Sequence, residues 1–183
     1  ISTGKLAAAS VTADQLRMAA ERALEIRKRP AIHVRVKQSM GRLALEQGKI
    51  ELARQIFTEG IDALQVSNSA ESSLRAADLR MQLARIEMLL GHWDKALDWH
   101  RQREAALAGA GAARGRVFSG SPDYAYTLLR IGKVDEALAM TRKITANRRN
   151  AQDENSLFRW EADAFHGLAL AAGHDKVVEL VAL

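Results

Sequence analysis

The run Leu79-Arg80-Met81-Gln82-Leu83-Ala84-Arg85-Ile86-Glu87-Met88-Leu89-Leu90-Gly91-His92-Trp93-Asp94-Lys95-Ala96-Leu97 decides the fold. Leu79, Leu83, Ile86 and Leu90 recur at i, i+4, i+7 and i+11, which places them along one face of a helix that ends at Gly91. Past the glycine, Trp93, Ala96, Leu97 and His100 restart the same period in a second helix. Two amphipathic helices joined by so short a turn lie antiparallel, yet one hairpin is too small to bury its own core. Neighbouring hairpins must complete it.

Working outward, the same pattern returns on both sides. A helix from about Ile32 to Gln47 carries Val36, Met40, Leu43 and Ala44, turns at Gly48, and is followed by a helix with Ile50, Ala53, Phe57, Ile61 and Leu64. Downstream, Ser121-Pro122-Asp123 reads as a helix start: the hydroxyl caps, proline tolerates the first turn, and the acid suits the helix dipole. That helix should reach Ile131, turn at Gly132 and pair with one carrying Val134, Ala137, Leu138, Thr141 and Ile144. Asn147 to Asp153 reads as a loop, and a last helix with Trp160, Ala164, Leu168 and Ala172 is expected to turn at Gly173. The corner glycines Gly48, Gly91, Gly132 and Gly173 are separated by 43, 41 and 41 residues. Ala53, Ala96 and Ala137 hold one register after the first three, where close helix approach needs a small side chain; Val178 departs from it in the fourth. Met40, Leu83, Tyr124 and Phe165 share a register before the glycines. Upstream, a helix from Ala13 to about Lys28 carries the stripe Leu16, Ala19, Ala20, Ala23 and Leu24, and Pro30 stops it.

Composition agrees with an all-α fold. The chain has 183 residues, 48% of them hydrophobic, and only 2 prolines. No run approaches the roughly 18 apolar residues of a membrane-spanning helix. With no cysteine there is neither a disulfide framework nor a thiolate metal site, which suits a cytoplasmic protein. The first residue is Ile1 and no signal peptide opens the chain, so the sequence reads as a fragment or a processed product. The formal charge is +5, but the basic clusters Arg27-Lys28-Arg29 and Arg142-Lys143 with Arg148-Arg149 are read as helix C-terminal cations.

The repeated glycine corner and its flanking registers resemble the tetratricopeptide repeat (TPR), a helix–turn–helix unit of roughly 34 residues. The longer period is similar to the elongated repeats of kinesin light chains and of bacterial signalling proteins. Segments such as Leu128 to Ala139 and Gly167 to Gly173 resemble arrays that precede caspase-like CHAT peptidase domains. The resemblance implies a right-handed superhelix (an α-solenoid) in one domain, with residues 1–30 as a partial repeat or N-terminal cap and repeats over 32–67, 71–108, 118–150 and a truncated 154–183. The first helices of such repeats line a concave surface that binds a peptide or helix. Carried over position by position, that groove holds Gln38, Arg42 and Leu45; Met81, Gln82, Arg85 and Met88; Tyr126 and Arg130; and Trp160 and Asp163. Arg42 and Arg85 occupy equivalent places and would set two guanidinium groups along one groove, which suits an acidic or C-terminal peptide. The carboxylate clamp of chaperone-binding members wants lysine and asparagine where this chain has Gln38 and Arg42, so a chaperone-tail adaptor is disfavoured.

No catalytic set emerges. Gly4-Lys5 lacks the upstream glycine and strand of a phosphate loop, and Gly109 with Gly111 lacks the third glycine of a dinucleotide fingerprint. The histidines His33, His92, His100, His166 and His174 have no metal-ligand spacing. His92 and His174 follow corner glycines and read as solvated; His100 and His166 read as satisfied core residues. Trp93 fills the register of Ile50 and Val134 and reads as core, and Trp99 as packed between repeats. The expectation is a non-catalytic interaction scaffold without cofactor or metal, binding a protein or peptide partner with no membrane contact. The runner-up is a basic helical repeat that binds nucleic acid, which needs cations aligned on one face. The apolar end from Val177 to Leu183 predicts self-association or continuation into a further domain.

Overall fold

Gly48, Gly91 and Gly132 stand at φ of 73°, 74° and 76°, the left-handed region that a Cβ disfavours. Each closes the helix before it in the same way. The N–H of Lys49, His92 and Lys133 donates to the carbonyl of Ala44, Glu87 and Leu128 at 2.8, 2.8 and 2.9 Å. The glycine N–H groups donate to Leu45, Met88 and Leu129 at 2.9, 3.1 and 3.1 Å. This is the Schellman stop, which satisfies carbonyls that the helix end leaves over.

The computed structural model describes residues 12–22, 30–65, 69–110, 120–151, 163–164 and 166–173, and among them every regular element is helical and none is a strand. We label the helices α1 (residues 12–22), α2 (Pro30–Glu46), α3 (Ile50–Leu64), α4 (Ala70–Leu89), α5 (Trp93–Gly109), α6 (Pro122–Arg130), α7 (Val134–Ala151) and α8 (residues 166–173). The three glycine corners make hairpins of α2–α3, α4–α5 and α6–α7. Each helix from α2 to α6 packs on its successor, and α2 also packs on α4. None of the described helices is long and apolar enough to cross a membrane.

The register alanines do what the spacing predicts: Ala53, Ala96 and Ala137 all have 0% exposure at the hairpin seams. Gly41 allows a closer approach still, because a Cβ there would meet Phe57 Cε1 at 2.3 Å. Around Phe57 a core forms from Val34 and Ala44 of α2, Ile56, Ile61 and Leu64 of α3, and Leu79, Leu83 and Ile86 of α4. Trp99 of α5 packs against it. A second cluster joins Leu97, Tyr124, Leu128 and Ala137 across α5, α6 and α7. Ser121 caps α6 by accepting from the Tyr124 N–H at 3.2 Å, with Pro122 in the first turn.

One buried acid ties the first two hairpins together. Glu87 of α4 is 5% exposed, pairs with Arg54 of α3 at 3.1 Å, and meets His92 Nδ1 at 2.8 Å across the Gly91 corner. His92 is therefore exposed, as its place after the glycine implies, yet anchored.

Elsewhere the structure corrects the sequence. Gly173 is helical and outside the left-handed region, so it is not a corner of the kind made by the other three; the expected partner helix lies outside the described residues. Helix α7 runs on to Ala151 through the stretch expected to be a loop from Asn147. Neither proline nor glycine stops it, and alanine and arginine favour the helix. Arg142 and Lys143 consequently stand inside α7 instead of at its end. Pro30 begins α2, as a first-turn proline can, two residues before the expected start. In α1, Ala20 is buried while Leu16 and Ala19 are exposed.

Candidate functional site

Helices α2, α4 and α6 are the first members of their hairpins. Packing links α2 to α4, and an ion pair links α4 to α6: Arg85 Nε donates to Asp123 Oδ2 at 2.7 Å. The sequence places Arg85 beside a second guanidinium; its partner in the structure is a carboxylate. Asp123 entered the sequence reading only as a helix-start acid.

Three and seven residues beyond Asp123, on the same side of α6, stand Tyr126 and Arg130. The Arg130 guanidinium lies 4.6 Å from the centroid of the Trp93 ring and 6.0 Å from that of Tyr126. The two rings meet edge to face, 5.9 Å apart at 83°, and Arg130 Nη1 donates to the Tyr126 hydroxyl at 3.4 Å. A cation over an indole face is held by the ring quadrupole, so this cluster has a physical reason to hold its shape at the surface. Among the described residues no carboxylate pairs with Arg130. Trp93 is half-buried, which corrects the core assignment: at the first turn of α5 its ring reaches across to α6. The missed signal was its size, for the indole is larger than Ile50 or Val134 in the same register.

The remaining predicted groove residues divide. Arg42 is exposed and forms no ion pair among the described residues; it acts through space on Asp78 of α4, whose carboxyl burial pushes up against the opposing pull of Arg75, Arg103 and Arg42. Gln38, Leu45, Met81, Met88 and Asp163 are half-buried. Gln82 is buried, at 9% exposure, because it lies beside Leu79, Leu83 and Ile86 on the inward stripe, and so leaves the groove set. Trp160 lies outside the described residues, as do His174 and the C-terminal apolar run.

Behind the face, His100 of α5 is wholly buried and stacked on Tyr124, with ring centroids 4.9 Å apart and 5° between planes. Among the described residues neither ring nitrogen has a hydrogen-bond partner, so the expected satisfied core histidine is buried but not satisfied there. Burial pushes its pKa down to about 4; Asp123 opposes the shift, and Arg103 and Arg85 add to it. His166 does find a partner, Thr141 Oγ1 at 2.9 Å from its Nδ1. His33 is partly buried on α2, and burial first, then Lys37, lowers its pKa.

Among solved structures, the chain is similar to the crystal structure of BtubC (BKLC) from P. vanneervenii, with 19% sequence identity and a TM-score of 0.65. The match covers 87% of this chain and 64% of that one, and it is a likeness of fold. No family model matches the chain, and no curated protein matches it.

Proposed function

We propose that this chain is a non-catalytic scaffold of the tetratricopeptide-repeat kind, its hairpins wound as a right-handed α-solenoid, which holds a peptide or helix along α2, α4 and α6. The observation that carries the reading is the Trp93–Tyr126–Arg130 cluster: two aromatic rings and a guanidinium that no described carboxylate neutralises. Tryptophan, tyrosine and arginine are the residue types that dominate interface energetics. Arg42 supplies a second cation of the same kind on α2. An acidic segment with one apolar side chain fits both features. On this reading the chain recruits a partner for a larger bacterial signalling protein and performs no turnover itself.

The nucleic-acid alternative needs free cations in a row. Against it, Arg54, Arg75, Arg85 and Arg103 each pair with a carboxylate of the same chain.

The test is selection from a displayed peptide library, run in parallel on the parent and on an Arg42→Glu, Arg130→Glu variant. Arg85 is left alone because a glutamate there would face Asp123. Acidic sequences enriched on the parent and lost on an equally helical variant support the groove. Equal enrichment on both proteins, or preference for a labelled single-stranded oligonucleotide over every peptide, overturns it.

A further inference from the structure

Away from that face, a cavity of about 230 Å³ opens between the end of α3, the first half of α4 and the later part of α5. Ile61, Leu64, Ala76 and Ala106 form an apolar wall, and Ser73 and Arg80 contribute polar groups. Arg80 is half-buried; among the described residues its Nε, closed off from solvent, has no hydrogen-bond partner, which leaves the terminal guanidinium nitrogens to meet a ligand. Burial holds its guanidinium below its ordinary pKa, and no neighbouring carboxylate pulls the other way.

Arginines elsewhere in the fold are treated differently. Arg54, Arg75 and Arg103, with side-chain exposures of 30%, 23% and 6%, pair with Glu87, Glu71 and Glu104 respectively. Withdrawing a cation from water is unfavourable unless an anion meets it, which is why buried charges are normally paired. Arg80 takes that penalty within a cavity large enough for a small molecule, and the described chain offers no counterion. The complement of such a site is an anion supplied from outside. A guanidinium fork matches the two oxygens of a carboxylate, and the facing wall of Ile61, Leu64, Ala76 and Ala106 matches a hydrocarbon chain.

We propose that this cavity binds a small aliphatic carboxylate, with its headgroup on Arg80 and the Ser73 hydroxyl and its chain against the apolar wall. Inorganic phosphate shares the anionic half of that chemistry and an aliphatic alcohol the apolar half, so the two serve as separate arms of the test.

Isothermal titration calorimetry of the whole chain with hexanoate, inorganic phosphate and hexanol, at constant ionic strength, reads the site. Hexanoate is expected to saturate at one site per chain, more tightly than either of the others. Arg80→Met keeps the length of the side chain and removes the charge; it should weaken hexanoate by about tenfold or more, since a hydrogen bond to a charged group contributes at least one such factor. Ala106→Leu fills the cavity without touching the charge and should also abolish binding. Circular dichroism checks that both variants remain helical. No saturable binding to the parent, or equal affinity in a folded Arg80→Met protein, overturns the site. Phosphate binding as tightly as hexanoate overturns the aliphatic ligand.

Discussion

His100 and Tyr124 lie ring on ring, 4.9 Å apart and 5° from parallel, with neither imidazole nitrogen hydrogen-bonded to a described residue. The joint between α5 and α6 is thus held at this point by stacking and burial, and it depends on the imidazole being neutral. Its folded pKa of about 4 lies below the ordinary 6.5, so between those values the unfolded chain binds the proton and the folded chain does not. The stabilisation is complete above about pH 6.5 and is lost as pH falls towards 4, by about 3 kcal/mol over the window. His100→Phe keeps an aromatic stack without a titrating group. Its urea midpoint should vary less between pH 6.5 and 4 than the parent's; parallel profiles would remove His100 as the acid-sensitive group.

Glu87 provides a second expectation. It is 5% exposed and held by Arg54 and His92, so Glu87→Ala leaves Arg54 with nitrogens shut from solvent and one carboxylate fewer. Removing one partner of a buried pair is expected to cost about 3 kcal/mol, whereas Arg54→Met combined with Glu87→Met should cost less than the single change. Urea denaturation of both proteins checks the order. A double variant less stable than Glu87→Ala contradicts the account.

Two glycine substitutions should destabilise for different reasons. Gly91→Ala meets no atom within 4 Å but sits at φ 74°, so its cost is the left-handed backbone alone, about 1–2 kcal/mol. Gly41→Ala has no such backbone problem, yet its Cβ would fall 2.3 Å from the Phe57 ring. An overpacked core costs about 1–3 kcal/mol, and pairing the change with Phe57→Leu should recover part of it. Thermal melts of the three proteins decide the matter; no recovery by Phe57→Leu would place the strain elsewhere.

The Arg85–Asp123 pair links α4 to α6 at the surface, with the arginine 49% exposed. Exposed pairs contribute little, so Arg85→Gln should lower stability by no more than about 1 kcal/mol. Arg85→Glu sets two carboxylates together and should cost more at low salt than at high salt, where screening shortens the repulsion. Equal melting temperatures for Arg85→Glu at both salt concentrations would show that the pair is not formed in solution.

The sequence by itself determined the hairpins. A left-handed corner and a helical stripe depend on residues within a few positions of each other, so Gly48, Gly91 and Gly132, with Ala53, Ala96 and Ala137, were legible from spacing alone. Arg42, Tyr126 and Arg130 were placed together by the resemblance to the tetratricopeptide repeat, and the contact of Arg130 with Tyr126 and Trp93 is what the structure adds. Where the local signal was weak, the expectation and the structure part: Gly173 lies within a helix, and the polar stretch after Asn147 stays helical to Ala151.

Only the tertiary structure decided what meets what. Gln82 is buried because the inward stripe of α4 is wider than the heptad-like positions that mark it, and Trp93 is half-buried against Tyr126 and Arg130 of α6. Arg85 meets Asp123 from 38 residues away, and among the described residues Arg80 meets no counterion. Pairings at that separation depend on how one hairpin docks on the next, and docking is set by the summed packing of two surfaces, which no local run of residues encodes.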